Sequence, residues 1–128
     1  MAIELRSLEQ LQAYTILAPA TRDAAGNTTA VDVSGVDGDL LLLLHAAASA
    51  GGTAIKVKVQ SGNASDGSDA ADVPGGAFAD LGASAALQKL SIPRDQVGKF
   101  VRLAFTDETG SYSATVACLA IGGARYAS

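Results

Sequence analysis

From Thr28 onward the chain alternates apolar and polar positions in short runs. Val31 and Val33 flank Asp32. Ile55, Val57 and Val59 interleave with Lys56, Lys58 and Gln60. Leu87, Lys89 and Ser91 oppose Gln88, Leu90 and Ile92, and Val101, Leu103 and Phe105 oppose Phe100, Arg102 and Ala104. Val116, Cys118 and Ala120 oppose Thr115, Ala117, Leu119 and Ile121. Successive side chains of a strand point to opposite faces, so each run predicts a strand with one face in a core. Turn residues punctuate the runs at Asp23–Asn27, Ser34–Asp39, Gly51-Gly52, Gly62–Asp72, Pro93–Gln96, Asp107–Gly110 and Gly122-Gly123. Leu40 to Ala48 is apolar almost throughout. Its length and its flanking turns favour a strand buried on both faces over a buried helix. Val73 to Leu81 holds Pro74 and Gly75-Gly76, which predicts a short or edge strand. Seven or eight strands at spacings of about ten residues predict an all-β fold, an antiparallel β-sandwich of jelly-roll-like form. The chain shows no repeat of the kind that builds a solenoid or propeller.

The N-terminal stretch has a different pattern. Ile3, Leu5, Leu8 and Leu11 recur at spacings of two and three, with Glu4, Arg6, Glu9, Gln10 and Gln12 between them. Over Ser7 to Tyr14 this is a weak helical pattern, with Ser7 as N-cap and Gln10 three residues on. An extended arm lying on a neighbour accounts for it equally well. Ala18-Pro19-Ala20 ends any helix. Residues 1–20 are therefore expected to form an arm or short helix, and residues 21–128 the sandwich domain. Ile3, Leu5, Leu8 and Leu11 are the candidate partner-binding residues.

Composition narrows the function classes. A chain of 128 residues makes one domain. Hydrophobic residues are 48% but aromatics only 5%, without Trp, so the core must come from Leu, Val, Ile and Ala. Small side chains bury little area at about 25 cal/mol per Å², and an isolated subunit would gain from self-association or docking. A net charge of −4 and dispersed Lys and Arg argue against direct nucleic-acid binding. No basic start followed by an apolar run marks a secretory leader, and Leu40–Ala48 is too short to span a membrane. A lone Cys118 excludes an intrachain disulfide and fits synthesis in a cytoplasm.

Candidate chemistry is sparse. His45 sits within the apolar Leu40–Ala48 run and has no second His or Cys near it in sequence. It is expected to be structural, with its ring bonded inside the fold or at a subunit contact. Cys118 lies among small apolar residues and is expected to be a buried, unreactive thiol. Asn63, Asp66, Asp69 and Asp72 form the richest set of oxygen ligands, and are weak candidates for a calcium site. Their spacing does not match an EF-hand, and a solvated acidic loop is the preferred reading. The glycine pairs match neither a dinucleotide fingerprint nor a phosphate loop. No catalytic site and no cofactor is expected.

The segment from Asn27 to Tyr126 resembles a group of small tailed-bacteriophage virion proteins. The resemblance rests on Val31-Asp32-Val33 with its Gly turn, the Leu40–His45 run, Gly52-Thr53, and the Lys56-Val57-Lys58-Val59-Gln60-Ser61 strand leading to an Asp-rich loop. It continues through Lys99-Phe100-Val101-Arg102-Leu103 to a Gly-Gly ending near Arg125-Tyr126. The Ala- and Gly-rich stretch from Ala64 to Ala86 departs from that pattern. The resemblance implies a structural, non-enzymatic protein, most like a jelly-roll capsid decoration (cement) protein. Such a protein binds the major capsid protein on the capsid exterior, self-associates as a dimer or trimer, and stabilises the shell. A tail, baseplate or head-fibre component and a glycan- or calcium-binding sandwich are the alternatives.

Overall fold

The computed structural model describes residues 11–124. Nine strands lie among them: β1 Leu11–Arg22, β2 Gly26–Asn27, β3 Val31–Asp32, β4 Val36–Ala46, β5 Ala54–Gly62, β6 Ala71–Ala77, β7 Ala86–Ile92, β8 Phe100–Thr109 and β9 Ala114–Ala124. A 3-10 turn occupies Arg94–Gln96. The strands form two antiparallel sheets. The first runs β1-β9-β4-β7; the second runs β2-β8-β5-β6, with β3 also on β8. β2 and β3 are two ends of one interrupted strand. Between them Thr28 donates its N–H to the Leu103 carbonyl and accepts the Leu103 N–H on its hydroxyl, each at 2.9 Å.

With β2 and β3 taken as one, the first strand pairs with the last. The second then pairs with the next to last, and so on inward to β5 with β6. A chain doubled at its middle and rolled gives this order, which is the jelly roll. The all-β antiparallel sandwich expected from the alternation is the fold observed. Its strand count exceeds the expected seven or eight through the break between β2 and β3 and through β1.

The core is the slab between the sheets. Leu42, Leu44, Ile55, Val57, Val59, Val101, Leu103, Phe105, Val116 and Cys118 are each at most 1% exposed. These are the inward halves of the alternating runs, so the period of two in the sequence carries directly into burial. At Gly122 a side chain would collide with Val36 Cγ1, so a glycine inside β9 admits close packing by β4. The Gly122-Gly123 pair therefore lies within the last strand instead of ending it.

Three expectations are narrowed or corrected. First, of the helical and extended readings, Leu11 to Tyr14 takes the extended one as the start of β1, which continues through residues 20 and 21 to Arg22. Tyr14-Thr15-Ile16 is an aromatic and β-branched run suited to a pleated surface. Pro19 is tolerated because β1 is an edge strand and its missing N–H costs no ladder bond. β1 bends there, with register breaks on both sides of Leu17. The rest of the arm, with Ile3, Leu5 and Leu8, lies outside the described residues. Second, β4 is not buried on both faces. Leu40, Leu42, Leu44 and Ala46 are at most 1% exposed, Leu41 and Leu43 are half-buried, and His45 is exposed. Third, Asp107–Gly110 is not a hairpin turn, because β8 and β9 belong to different sheets.

Candidate interaction face

The residues that could have carried chemistry are kept apart by the sheet register. Leu44 stands opposite Cys118, and His45 opposite Ala117. Neighbours along a strand face opposite ways, so Cys118 points into the core while His45 points to solvent. The two cannot form a nucleophile–base pair. Cys118 is fully buried, and that burial pushes its thiol up to about 12, so it stays protonated at neutral pH. His45 is exposed, which removes the expectation of a ring bonded inside the fold and leaves that of a place at a subunit contact. A shallow depression of about 130 Å³ at Thr21–Ala25 is lined by one contiguous turn. There Arg22 lies over the Phe105 ring, 4.3 Å from its centroid.

The acidic loop serves its own fold. Asp69 accepts the N–H groups of Asn63, at 2.9 and 3.1 Å, and of Ala64, at 3.0 Å. Those bonds hold its carboxyl below its ordinary value. Asp66 accepts the Ser68 N–H at 2.9 Å and is lowered by that bond. Asp72 accepts from Gln60 Nε2 and Lys58 Nζ, both at 2.9 Å, and is lowered first by Gln60 and then by Lys58. The side-chain oxygen of Asn63 accepts the Lys99 N–H at 3.1 Å. Among the described residues no three carboxylate, His or Cys groups converge as a metal site would require.

What the fold does assemble is a contrast between its two outer surfaces. Outside the second sheet, Arg102 donates to Gln60 at 2.9 Å, and Gln60 and Lys58 both donate to Asp72, in one polar network. Outside the first sheet, register places apolar residues side by side. One row reads Ala13, Ile121, Leu41, Ser91 across the sheet; the next reads Thr15, Leu119, Leu43, Lys89; the next holds Ala117, His45 and Leu87. Leu11 opens the series opposite Gly123. Leu11, Leu87 and Leu119 are 45%, 69% and 42% exposed, and these exposed large apolar side chains all lie on this one face. With strands ~4.8 Å apart and same-face residues ~6.7 Å apart, the rows cover on the order of 400 Å². That area includes Thr15, Lys89, Ser91 and His45, and it is of the size of a monomer's largest apolar patch, which is often functional.

Of the predicted partner-binding residues, Leu11 falls on this face. Leu41, Leu43, Leu87, Leu119 and Ile121 were not singled out from sequence. The available signal was leucine at outward positions, with Leu87 sharing parity with Lys89 and Ser91, and Leu119 and Ile121 sharing parity with Thr115.

No protein-family model matches the sequence, and comparison with curated protein sequences found no significant relative. Solved structures do share its fold. A chain of infectious bursal disease virus, Gx strain, matches with a TM-score of 0.54 at 13% identity, over 87% of this chain. A chain of the same virus's particle matches with a TM-score of 0.54 at 14% identity, over 88%. A mutant VP2 protein of that virus, in derived T=1 particles, matches with a TM-score of 0.50 at 13% identity, over 87%. This chain spans 31% of the length of each of those viral chains. At such identities the likeness is one of fold.

Proposed function

We propose that the chain is a structural component of a virus particle, and within that class a non-enzymatic decoration (cement) protein of a tailed-bacteriophage capsid. In this reading it binds the lattice of major capsid protein on the capsid exterior and stabilises the shell. The observation that carries the reading is the fold shared with chains that make up virus particles. The jelly roll also serves as lectin and cupin domains, and fold alone does not assign function. The side chains favour the structural use. Phe105 and Tyr112 are 1% exposed and Phe78 7%, which withdraws them from any glycan-stacking surface. Asp66 and Asp69 accept backbone N–H groups of their own loop, and Asp72 is engaged by Gln60 and Lys58.

Mechanically, a decoration protein needs a stiff body and weak contacts repeated over a lattice, because avidity multiplies small affinities. A two-sheet sandwich supplies the first, and the arm supplies the second. Ile3, Leu5, Leu8 and Leu11 are the proposed contact residues of the arm. The test is co-sedimentation of the purified protein with undecorated capsids of its source virus. Saturable binding, weakened by Leu8→Asp while the thermal transition is unchanged, is the expected outcome. Absence of binding, together with rings or fibres formed by the protein alone, would transfer the assignment to a tail, baseplate or head-fibre component.

A further inference from the structure

We propose that the apolar outer face of the β1-β9-β4-β7 sheet is the seat of the N-terminal arm of a second copy of this chain, exchanged reciprocally. The seat is formed by Leu41, Leu43, Leu87, Leu119 and Ile121, with Leu11 at its margin. The inference rests on this face and on the sequence of the arm. It deepens the decoration reading by naming the self-contact, and it would hold equally for a tail component.

Three observations select the occupant. The first is area. A stable interface takes roughly 800 Å² from each partner, and the face alone offers on the order of 400 Å². Two such faces laid against each other would fall short. Reciprocal exchange buries both an arm and a face from every subunit, and so roughly doubles the area each contributes. The second is connectivity. Leu11 begins β1 with its side chain on this face, at the edge of the sheet. Residues 1–10 contain no Gly, Pro, Asn or Asp, the residues that reverse a chain tightly. Ser7 is the one turn-forming residue among them, so little in residues 1–10 favours a return over the chain's own sheet, and a neighbour's sheet is the proposed destination. At ~3.3 Å per residue an extended segment of that length reaches about 33 Å, more than the width of a four-stranded sheet. The third is chemistry. In extended form Met1, Ile3, Leu5, Ser7 and Glu9 share parity with Leu11, giving three apolar side chains, a hydroxyl and one carboxylate to a face that is leucine-rich with Lys89 in its middle row.

The experiment uses the full chain. Sedimentation equilibrium at micromolar concentration should find an oligomer. Leu119→Asp, on the seat, and Leu5→Asp, on the arm, should each yield monomer with the circular dichroism and thermal transition of the unaltered chain. Leu119 lies off the core, so at that position folding and association can be read separately. Cross-linking then identifies the occupant. A chain carrying Leu5→Cys is mixed with a mass-tagged chain carrying Leu119→Cys; the native Cys118 is fully buried and does not compete. A disulfide between tagged and untagged chains is the predicted result. Disulfides only between Leu119→Cys chains would seat face on face and overturn the exchange. Closure within one chain of the double variant at high dilution would give the face to its own arm and overturn it as well. A monomeric unaltered chain would also refute it. Capsid binding that persists in a monomeric variant would refute the need for exchange in decoration while leaving the decoration reading intact.

Discussion

Tyr112 is 1% exposed, and its hydroxyl has no hydrogen-bond partner among the described residues. Its burial raises the phenol above its ordinary value, so the group is a neutral, desolvated hydroxyl. An unmet buried polar group costs about 1–3 kcal/mol. Tyr112→Phe is therefore expected to raise unfolding free energy by about 1 kcal/mol in denaturant titration; a loss of stability would mean that the hydroxyl is bonded. Close by, Gly110 holds φ 64°, and a Cβ there would lie 2.5 Å from the Gly52 carbonyl oxygen. Gly38 has φ 92° with open space around it. Gly110→Ala meets both backbone strain and a backbone collision, so it should lower the melting temperature well beyond Gly38→Ala, which meets strain alone. These effects depend on what surrounds each position and could not be read from residue type. The sequence marks Gly110 as a turn residue, and only the packing of β8 against the Gly52 turn makes it irreplaceable. The inert reading of Cys118 was legible because small apolar neighbours in alternation place a thiol inward. Which of its two expected places His45 takes, inside the fold or on a contact surface, was not legible because leucines occupy both parities of β4.

At the scale of elements, the Gly62–Asp72 loop is set by carboxylates. Asp69, Asp66 and Asp72 all titrate below the ordinary value of 3.8. A lowered folded value means that the stabilising contribution is complete above the ordinary carboxylate range and fades as pH falls through the folded value. Thermal stability should thus decline as pH drops from about 5 to about 2, and Asp69→Asn should flatten that limb. An unchanged acid limb in the variant would detach Asp69 from the loop's stability. The strands differ in how plainly the sequence declared them. β5, β8 and β9 alternate cleanly between turns, and one face of each became core. β1 was obscured by Pro19, because edge position, which excuses a proline, is a property of the whole sheet. β4 was obscured by Leu41 and Leu43, whose half-exposure reflects an uncovered sheet face and not a second core. Leu42→Ala should cost about 2–5 kcal/mol as a core truncation, while Leu87→Ser, on a residue 69% exposed, should stay within about 0.5 kcal/mol. A large loss from Leu87→Ser in the monomer would mean that the face is already covered.

For the whole molecule, the pairing order was not legible, since first-with-last contacts are non-local and alternation is blind to partner. Alternation fixed which side of each strand is inward; the roll itself came from register. The resulting body has one face closed by a polar network and one left apolar, which suits a protein that works by contact. The fold is shared with chains of virus particles and the leucine face is exposed; the proposal that rests on both is a structural part of a virion, and specifically a capsid decoration protein. The most direct test is high-resolution imaging of the source virion alongside particles lacking this chain. The account predicts density for a two-sheet sandwich on the capsid exterior at fixed lattice positions, absent from the deficient particles, which should also rupture sooner on heating. Capsids identical with and without the chain, with its density at the tail or in no part of the particle, would contradict it.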